Sequence, residues 1–375
     1  MLVTAALHPR PTHCRTLGPL RLGLLTGHDV TSLTAFSGTV FHATRALASH
    51  PDVALSVFAP PPMGRVARRL GWPERPAPLP GPAELGRLDA LVGLVASDLI
   101  DRLPETPVPI LHVTDATPRF LSEDYGWDVP KAAFDAEARV TRRAALSVYS
   151  SAEMAARARS EMGVTATTWV PFGTNMPDLP AAPPPTPELG GRIELVFVGR
   201  DWRRKGGDIA VAALDALRHA GRSARLTVVG DCPDDVARRA DVRAAGPLDP
   251  GRANDRAKLS DCYRQAQLMI LPTRADCTPM VVAEAMAHGT PVLATRTGGL
   301  GSLVTPGTGV LMSPDAGGGE WAHTILDTLR DSFAFEMMAD AAFDRARTRL
   351  TWTAWAEDVI DIARTAGLRR AVRAA

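Results

Sequence analysis

Two doubly wound α/β domains, each built on a parallel sheet, are the fold class this sequence predicts, and three observations carry the prediction. Apolar runs of strand length alternate with amphipathic helical stretches from Arg21 onward. A proline-rich run, NMPDLPAAPPPTPELGG at residues 175–191, breaks the alternation, which then restarts. At 375 residues the chain is also long enough for two cores of ordinary size.

The elements follow in order. RLGLLTG (21–27) reads as the first strand, followed by a polar loop containing SGT and by the helical pattern VFHATRALASH. VALSVFAP (53–60), LDALVGLV (88–95) and PVPILHVTDAT (107–117) are further strands, and 131–145 is a helix. LSVYSS, AEMAARARSEMG and TTWVPFG complete the first half as strand, helix and short strand. Beyond the proline-rich run, RIELVFVG, ARLTVVG, AQLMILPT and TPVLAT are strands, while GGDIAVAALDALRHAG and PMVVAEAMAHG are helices. The terminal TWTAWAEDVIDIARTAGLRRAVRAA is helical; Trp352 and Trp355 are costly to leave in water, so it is expected to cross back onto the first domain. The division expected is an N-terminal extension (1–20), a first domain (21–175), a linker (176–191), a second domain (192–350) and a C-terminal helix (351–375). The natural ligand site is the cleft between the two domains.

Composition narrows the function. With 42 basic and 41 acidic residues the net charge is +1, so no global field recruits nucleic acid or anionic membrane. Cys14, Cys232, Cys262 and Cys277 are scattered without metal-site spacing and read as reduced thiols of a cytoplasmic protein. The most apolar run, 88–100, is short and carries Asp89 and Asp98, which makes it a core segment. The first twenty residues lack the unbroken apolar stretch of a signal peptide and read as a loosely held extension.

Chemistry is expected where strand ends feed helix starts, because unpaired N–H groups point outward there. Three such places stand out in the second half. In VFVGRDWRRKGGDIAVAAL, Gly199 and Arg200 end a strand, and Arg203, Arg204 and Lys205 precede Gly206 and Gly207. The run is either a solvated face or a group of cations that meets an anion. In PTRADCTPMVVAEAMAHGTPV, Asp276 precedes a helix opened by Thr278 and Pro279 that carries Glu284. The two carboxylates can face one small ligand; alternatively, Asp276 caps the helix and Glu284 is a surface charge. The third place is the glycine turn TRTGGL.

VGRDWRRKGG and DCTPMVVAEAMAHGTPVLATRTGGL resemble the two signatures of the retaining GT-B glycosyltransferases of the large family 4, the glycosyl transferases group 1. The likeness is strong over 193–310 and weaker over LTGHDVTSLTAFSGTVFHATRAL, VYSSAEMAARARSEMG and VPFGTN. It implies that Arg200 and Lys205 hold the diphosphate of a nucleotide-sugar donor, leaving Arg203 and Arg204 at variable, solvated positions. Glu284 matches the glutamate that binds the donor ribose, and Asp276 stands where a Glu-x7-Glu motif has its first glutamate, near the transferred sugar. The amides of Thr278, Met280 and Val281, with Pro279 among them, are expected at the phosphates; Gly199 and Gly38 are expected close to the donor. Asp115 stands where the family often has a His or Asp near the acceptor, although a loop cap explains it equally. His28 and His42 are acceptor-side candidates, and His112 reads as a strand residue. RAAGPLDP (243–250) is expected as the loop that carries the base.

The resemblance further implies transfer of a sugar to an acceptor hydroxyl with retention, without cofactor and without metal. The sequence has no Asp-x-Asp, so side-chain cations would do a metal's work. The expected partners are a nucleotide-sugar donor and a carbohydrate, lipid-linked or small-molecule acceptor, with at most a weak peripheral membrane contact and no nucleic acid. Two alternatives share the fold: a nucleotide-sugar 2-epimerase, and a non-catalytic nucleotide-sugar-binding protein. A pyridoxal-phosphate phosphorylase would need a lysine, and Lys131, Lys205 and Lys258 do not stand in such a context.

Overall fold

The computed structural model describes residues 18–62, 76–177 and 179–374. The expected N-terminal extension, apart from residues 18–20, and Cys14 lie outside the described residues.

β1 (Leu20–Leu25), β2 (Val53–Phe58), β3 (Ala90–Leu94), β4 (Ile110–Thr114), β5 (Leu146–Tyr149) and β6 (Thr167–Trp169) form one six-stranded sheet, ordered β2-β1-β3-β4-β5-β6. β7 (Ile193–Gly199), β8 (Ala224–Gly230), β9 (Val242–Gly246), β10 (Leu268–Leu271), β11 (Val292–Thr295) and β12 (Gly309–Met312) form a second, ordered β12-β11-β10-β7-β8-β9. Every pairing is parallel. Helices cover both faces of such sheets, so inner strands are buried throughout: all residues of β3, β4 and β10 are buried, His112 and Thr114 of β4 among them. The edge strand β2 instead mixes buried and exposed positions.

Strand order decides where ligands can bind. It reverses between β1 and β3 in the first sheet and between β7 and β10 in the second. The carboxyl ends of strands at such a reversal open a crevice, because their crossover helices leave on opposite faces. The loops at those ends are the ones holding Gly38, Arg200 and Asp276.

Several elements carry no clear sequence signal. β9 buries one residue fully, and the helix Ala253–Gln265 is polar along nearly its whole length, burying Cys262 and Tyr263. The anticipated base loop is therefore half strand: β9 takes it to Gly246, and only Pro247 to Pro250 reach the cleft. The proline-rich run is irregular, as expected, yet it is tied down. Met176 joins the second core, Leu179 and Leu189 pack on that core, and Gln267 Nε2 donates to the Glu188 carbonyl at 3.0 Å.

The helix Trp352–Ala374 does cross to the first domain. Trp355, Ala356, Val359, Ile360 and Ala363 join the core formed by β1, β3 and the helix Thr39–Ala48. At the crossing, Trp352 Nε1 donates to Asn175 Oδ1 at 2.9 Å, and Asn175 Nδ2 donates to the Ser37 carbonyl at 2.6 Å. No helix among the described residues is long and apolar enough to span a membrane.

Trp355 is completely buried in this contact. Trp355→Ala should therefore destabilise the first domain by roughly 3–5 kcal/mol, the usual cost of deleting a large buried ring. Hydrogen exchange should show the loss concentrated in β1 and β3. Unchanged protection there would mean that the terminal helix does not hold the first sheet together.

Candidate functional site

A cavity of about 600 Å³ lies between the domains. Its second-domain wall is made by the ends of β7 and β10 and by the first turn of the helix Met280–Met286: Gly199, Arg200, Lys205, Asp276, Thr278, Pro279, Met280, Val281 and Glu284 all line it. The opposite wall includes Asp115, at the end of β4, and His42. The structure thus brings together the sequence-predicted site residues other than Gly38, His28, Gly206, Gly207 and the TRTGGL turn. Gly38 is buried at φ +84°, where a Cβ would stand 2.9 Å from the Leu33 carbonyl oxygen, and it shapes the loop whose neighbours Ser37 and Thr39 reach the cleft. His28 lies outside the lining, its ring 5.6 Å from Phe36.

Asp276 sits at the centre with its side chain 6% exposed. A carboxylate that deep needs partners. Lys205 Nζ donates to Oδ2, the Arg204 guanidinium stands 4.0 Å away, and Tyr125 of the first domain donates to Oδ1 at 3.4 Å. Tyr125 also accepts the Cys277 N–H at 3.0 Å, which pins the loop next to Asp276. Ser150 and Thr278 join hydroxyls across the same seam.

The four cations of the β7 loop separate. Arg203 is 83% exposed and 3.7 Å from Asp208, the solvated position expected of it. Arg204 is not solvated, which corrects the sequence reading. Its side chain is 21% exposed; it donates to Asp201 and to the Ala275 carbonyl at 2.8 Å, and its guanidinium lies 4.5 Å above the Tyr125 ring. The partner that buries it comes from the other domain, 79 positions away in sequence. Arg200 is exposed and faces the cleft.

The glycine turns serve the protein rather than a ligand. Gly206, at φ +79°, allows its backbone to pass the Pro272 carbonyl, where a Cβ would sit 1.9 Å from the oxygen; neither it nor Gly207 lines the cleft. The TRTGGL turn is likewise absent from the lining. Gly298 and Gly299 press against the carbonyls of Asp276 and Cys277, and Gly299 N–H donates to the Asp276 carbonyl at 3.2 Å. Its role is to back the Asp276 loop.

Glu284 is held by a residue that the sequence reading missed. Tyr263 donates to Glu284 Oε2 at 3.0 Å from the helix Ala253–Gln265, and His288 stacks on the Tyr263 ring at 5.4 Å. Burial pushes the Glu284 carboxyl up to about 7, against the opposing pulls of the Tyr263 hydrogen bond and the Lys205 charge. Burial also raises Asp115 to about 6, with its own backbone N–H opposing and the Asp276 charge adding to the rise. His42 is driven down to about 4 by burial and by Arg45, so it is neutral at pH 7; donation to the Asn175 carbonyl opposes the shift. His112 is buried within the first sheet, 3.0 Å from Ser97 Oγ, a strand residue as read.

Strain collects at the same place. Phe36, Ser37 and Val95 have positive φ without being glycine, and all three line the cleft. Each such conformation costs about 1–3 kcal/mol and persists only where the surroundings enforce it. No residue type in those stretches announces it.

Residues 192–331 match the family model of the glycosyl transferases group 1. The chain is 31% identical over 196 residues to a D-inositol 3-phosphate glycosyltransferase of Nocardiopsis dassonvillei, a match covering 48% of this chain and 44% of that protein. It is 31% identical over 201 residues to a glycogen synthase of Mycobacterium tuberculosis, covering 51% and 44%. The chain thus matches less than half the length of these relatives. Among solved structures, sucrose-phosphate synthase from Thermosynechococcus elongatus superposes with a TM-score of 0.64 at 18% identity, covering 92% of this chain and 98% of that one. HepE of Anabaena, in complex with UDP and glucose, superposes with a TM-score of 0.59 at 13% identity, covering 92% and 100%.

The raised carboxyls make the cleft pH-sensitive. A carboxyl whose folded pKa exceeds its unfolded one binds its proton more tightly in the native chain, so stability is full below the unfolded value and is lost as pH rises through the folded one. From about pH 4.5 to 7, Glu284 should cost the ligand-free protein on the order of 2–3 kcal/mol. Glu284→Gln should flatten that decline relative to wild type in thermal unfolding. Parallel pH profiles for the two proteins would show that Glu284 is ionised in the native chain throughout.

Proposed function

From the premise that residues 192–331 belong to the glycosyl transferases group 1, within a chain that has the GT-B fold, we propose that this protein moves a sugar from a nucleoside-diphosphate donor to an acceptor hydroxyl. One observation carries the reading: Arg200, Lys205, the amides opening the helix Met280–Met286, and Glu284 converge at the strand reversal of the second sheet, facing Asp115 across the cleft. Cations and outward N–H groups suit a diphosphate, and a buried carboxylate suits ribose hydroxyls. UDP and UDP-glucose are held in HepE structures, which makes UDP the first nucleotide to test here.

In this reading the diphosphate gathers negative charge as the glycosidic bond breaks, and Arg200 and Lys205 stabilise it in a preorganised way. Lys205 keeps donors free beside the one given to Asp276. Asp276 orients the sugar's hydroxyls, with Arg204 and Tyr125 holding the carboxylate in place. The acceptor hydroxyl attacks the face that the diphosphate leaves, a phosphate oxygen takes its proton, and configuration is retained. Asp115 orients that hydroxyl. Side-chain cations take the place of a metal.

Calorimetry with UDP and transfer assays over a panel of nucleotide sugars, both in excess EDTA, test this reading. Activity that chelation abolishes and Mg²⁺ restores would exclude the metal-free mechanism. Arg200→Ala and Lys205→Ala should each lower turnover roughly 10²- to 10³-fold, as loss of a preorganised oxyanion donor does. Arg203→Ala should cost little, and Arg204→Ala should fall between. Equal effects at all four positions would remove the diphosphate assignment.

Asp276→Asn separates binding from transfer. It should retain UDP affinity, which rests on Arg200, Lys205 and Glu284, while transfer falls strongly because charge-assisted bonds to the sugar, on the order of 1.5–3 kcal/mol each, are lost. Wild-type transfer by Asp276→Asn would reduce Asp276 to a structural partner of Lys205 and Tyr125.

A further inference from the structure

The first-domain wall of the cleft bears on the acceptor. Trp127 lines it and is 56% exposed, one of few large apolar side chains among the described residues left so open. It is not loose, since its ring stands edge-on to Tyr125 at 5.2 Å, and Tyr125 is itself held by Asp276, Cys277, Phe120 and Arg204. Leu121, Phe36 and Leu33 are further apolar residues of this wall. Among the described residues of this wall, Asp115 is the one acidic side chain, and no lysine or arginine lines it. Of the cations that line the facing wall, Arg204 is committed to Asp201, the Ala275 carbonyl and the Tyr125 ring.

A phosphorylated acceptor here would bring a dianion beside Asp115 and Asp276 with no lysine or arginine lining its own side among the described residues, and like charges repel in a partly desolvated cleft. An uncharged ring meets the opposite situation. Its apolar face covers the exposed indole, which removes apolar area from water at both partners, and its hydroxyl reaches a carboxylate that can orient it. Resting on the proposed transfer reaction, we propose that the acceptor is an uncharged ring compound that stacks on Trp127 and turns its hydroxyl to Asp115. Acceptors carrying a phosphate, such as the one named for the D-inositol 3-phosphate glycosyltransferases, are disfavoured.

The test is acceptor binding to the full-length protein saturated with UDP, which the proposed reaction sets against Arg200, Lys205 and Glu284. Phenyl β-D-glucoside, methyl β-D-glucoside and glucose 6-phosphate are titrated by calorimetry. The glucosides should bind, and glucose 6-phosphate should bind at least tenfold more weakly. Similar affinities for the two glucosides assign the platform to a sugar face; tighter phenyl glucoside assigns it to an aromatic aglycone; both support the proposal. Trp127→Ala should weaken glucoside binding roughly tenfold and Trp127→Phe only two- to threefold, with UDP affinity reporting that each variant is folded. Preference for glucose 6-phosphate, absence of glucoside binding in the UDP-saturated protein, or unchanged affinity in Trp127→Ala would each overturn the acceptor assignment. Failure of UDP to bind the wild type would instead remove the transfer reading, and this inference with it.

Discussion

The buried carboxylate of Asp276 is the constraint around which the cleft is organised. An isolated charge at that depth is too costly to persist, so the chain must surround it with donors. Lys205 comes from the loop after β7, Arg204 from the same loop, and Tyr125 from the other domain. Satisfying one anion therefore draws the ends of two adjacent strands together and sets the first domain against the second. Much of the rest is support for that arrangement: Gly298 and Gly299 back the Asp276 loop, and Gly206 lets the β7 loop pass close to Pro272.

The same arrangement gives the two walls different characters. The second-domain wall is charged, with Arg200, Arg204, Lys205 and Arg256 set among Asp201, Asp249, Asp255, Asp276 and Glu284. The first-domain wall is aromatic and aliphatic, with Asp115 as its acidic group among the described residues.

The domain crossing connects to this site through one side chain. Asn175 accepts from Trp352 with its oxygen and donates to the Ser37 carbonyl with its nitrogen, so the start of the terminal helix is tied to a strained loop that lines the cleft. The positive φ of Phe36 and Ser37 costs free energy that such an anchor helps to offset. The proline-rich run beyond Asn175 adds stiffness, because it is strapped to the second core through Leu179, Leu189 and the Gln267 bond.

Periodicity and local chemistry determined the two parallel sheets and the grouping of the second-domain wall from Gly199 to Glu284. Those features are local: alternating apolar runs dictate buried strands, and residues close in sequence share one strand end or one helix start. Polar elements such as the helix Ala253–Gln265 and edge strands such as β9 escaped notice because little of them is buried, which leaves no pattern to read. Tertiary structure decided what depends on distant partners. It drew Arg204 out of solvent onto Tyr125, gave Glu284 its Tyr263, turned the TRTGGL glycines into backing for Asp276, and placed Trp127 in the cleft. Each of these rests on a contact between chain segments that sequence leaves far apart, and whether a charge or a ring is buried is a property of the neighbours that the fold supplies.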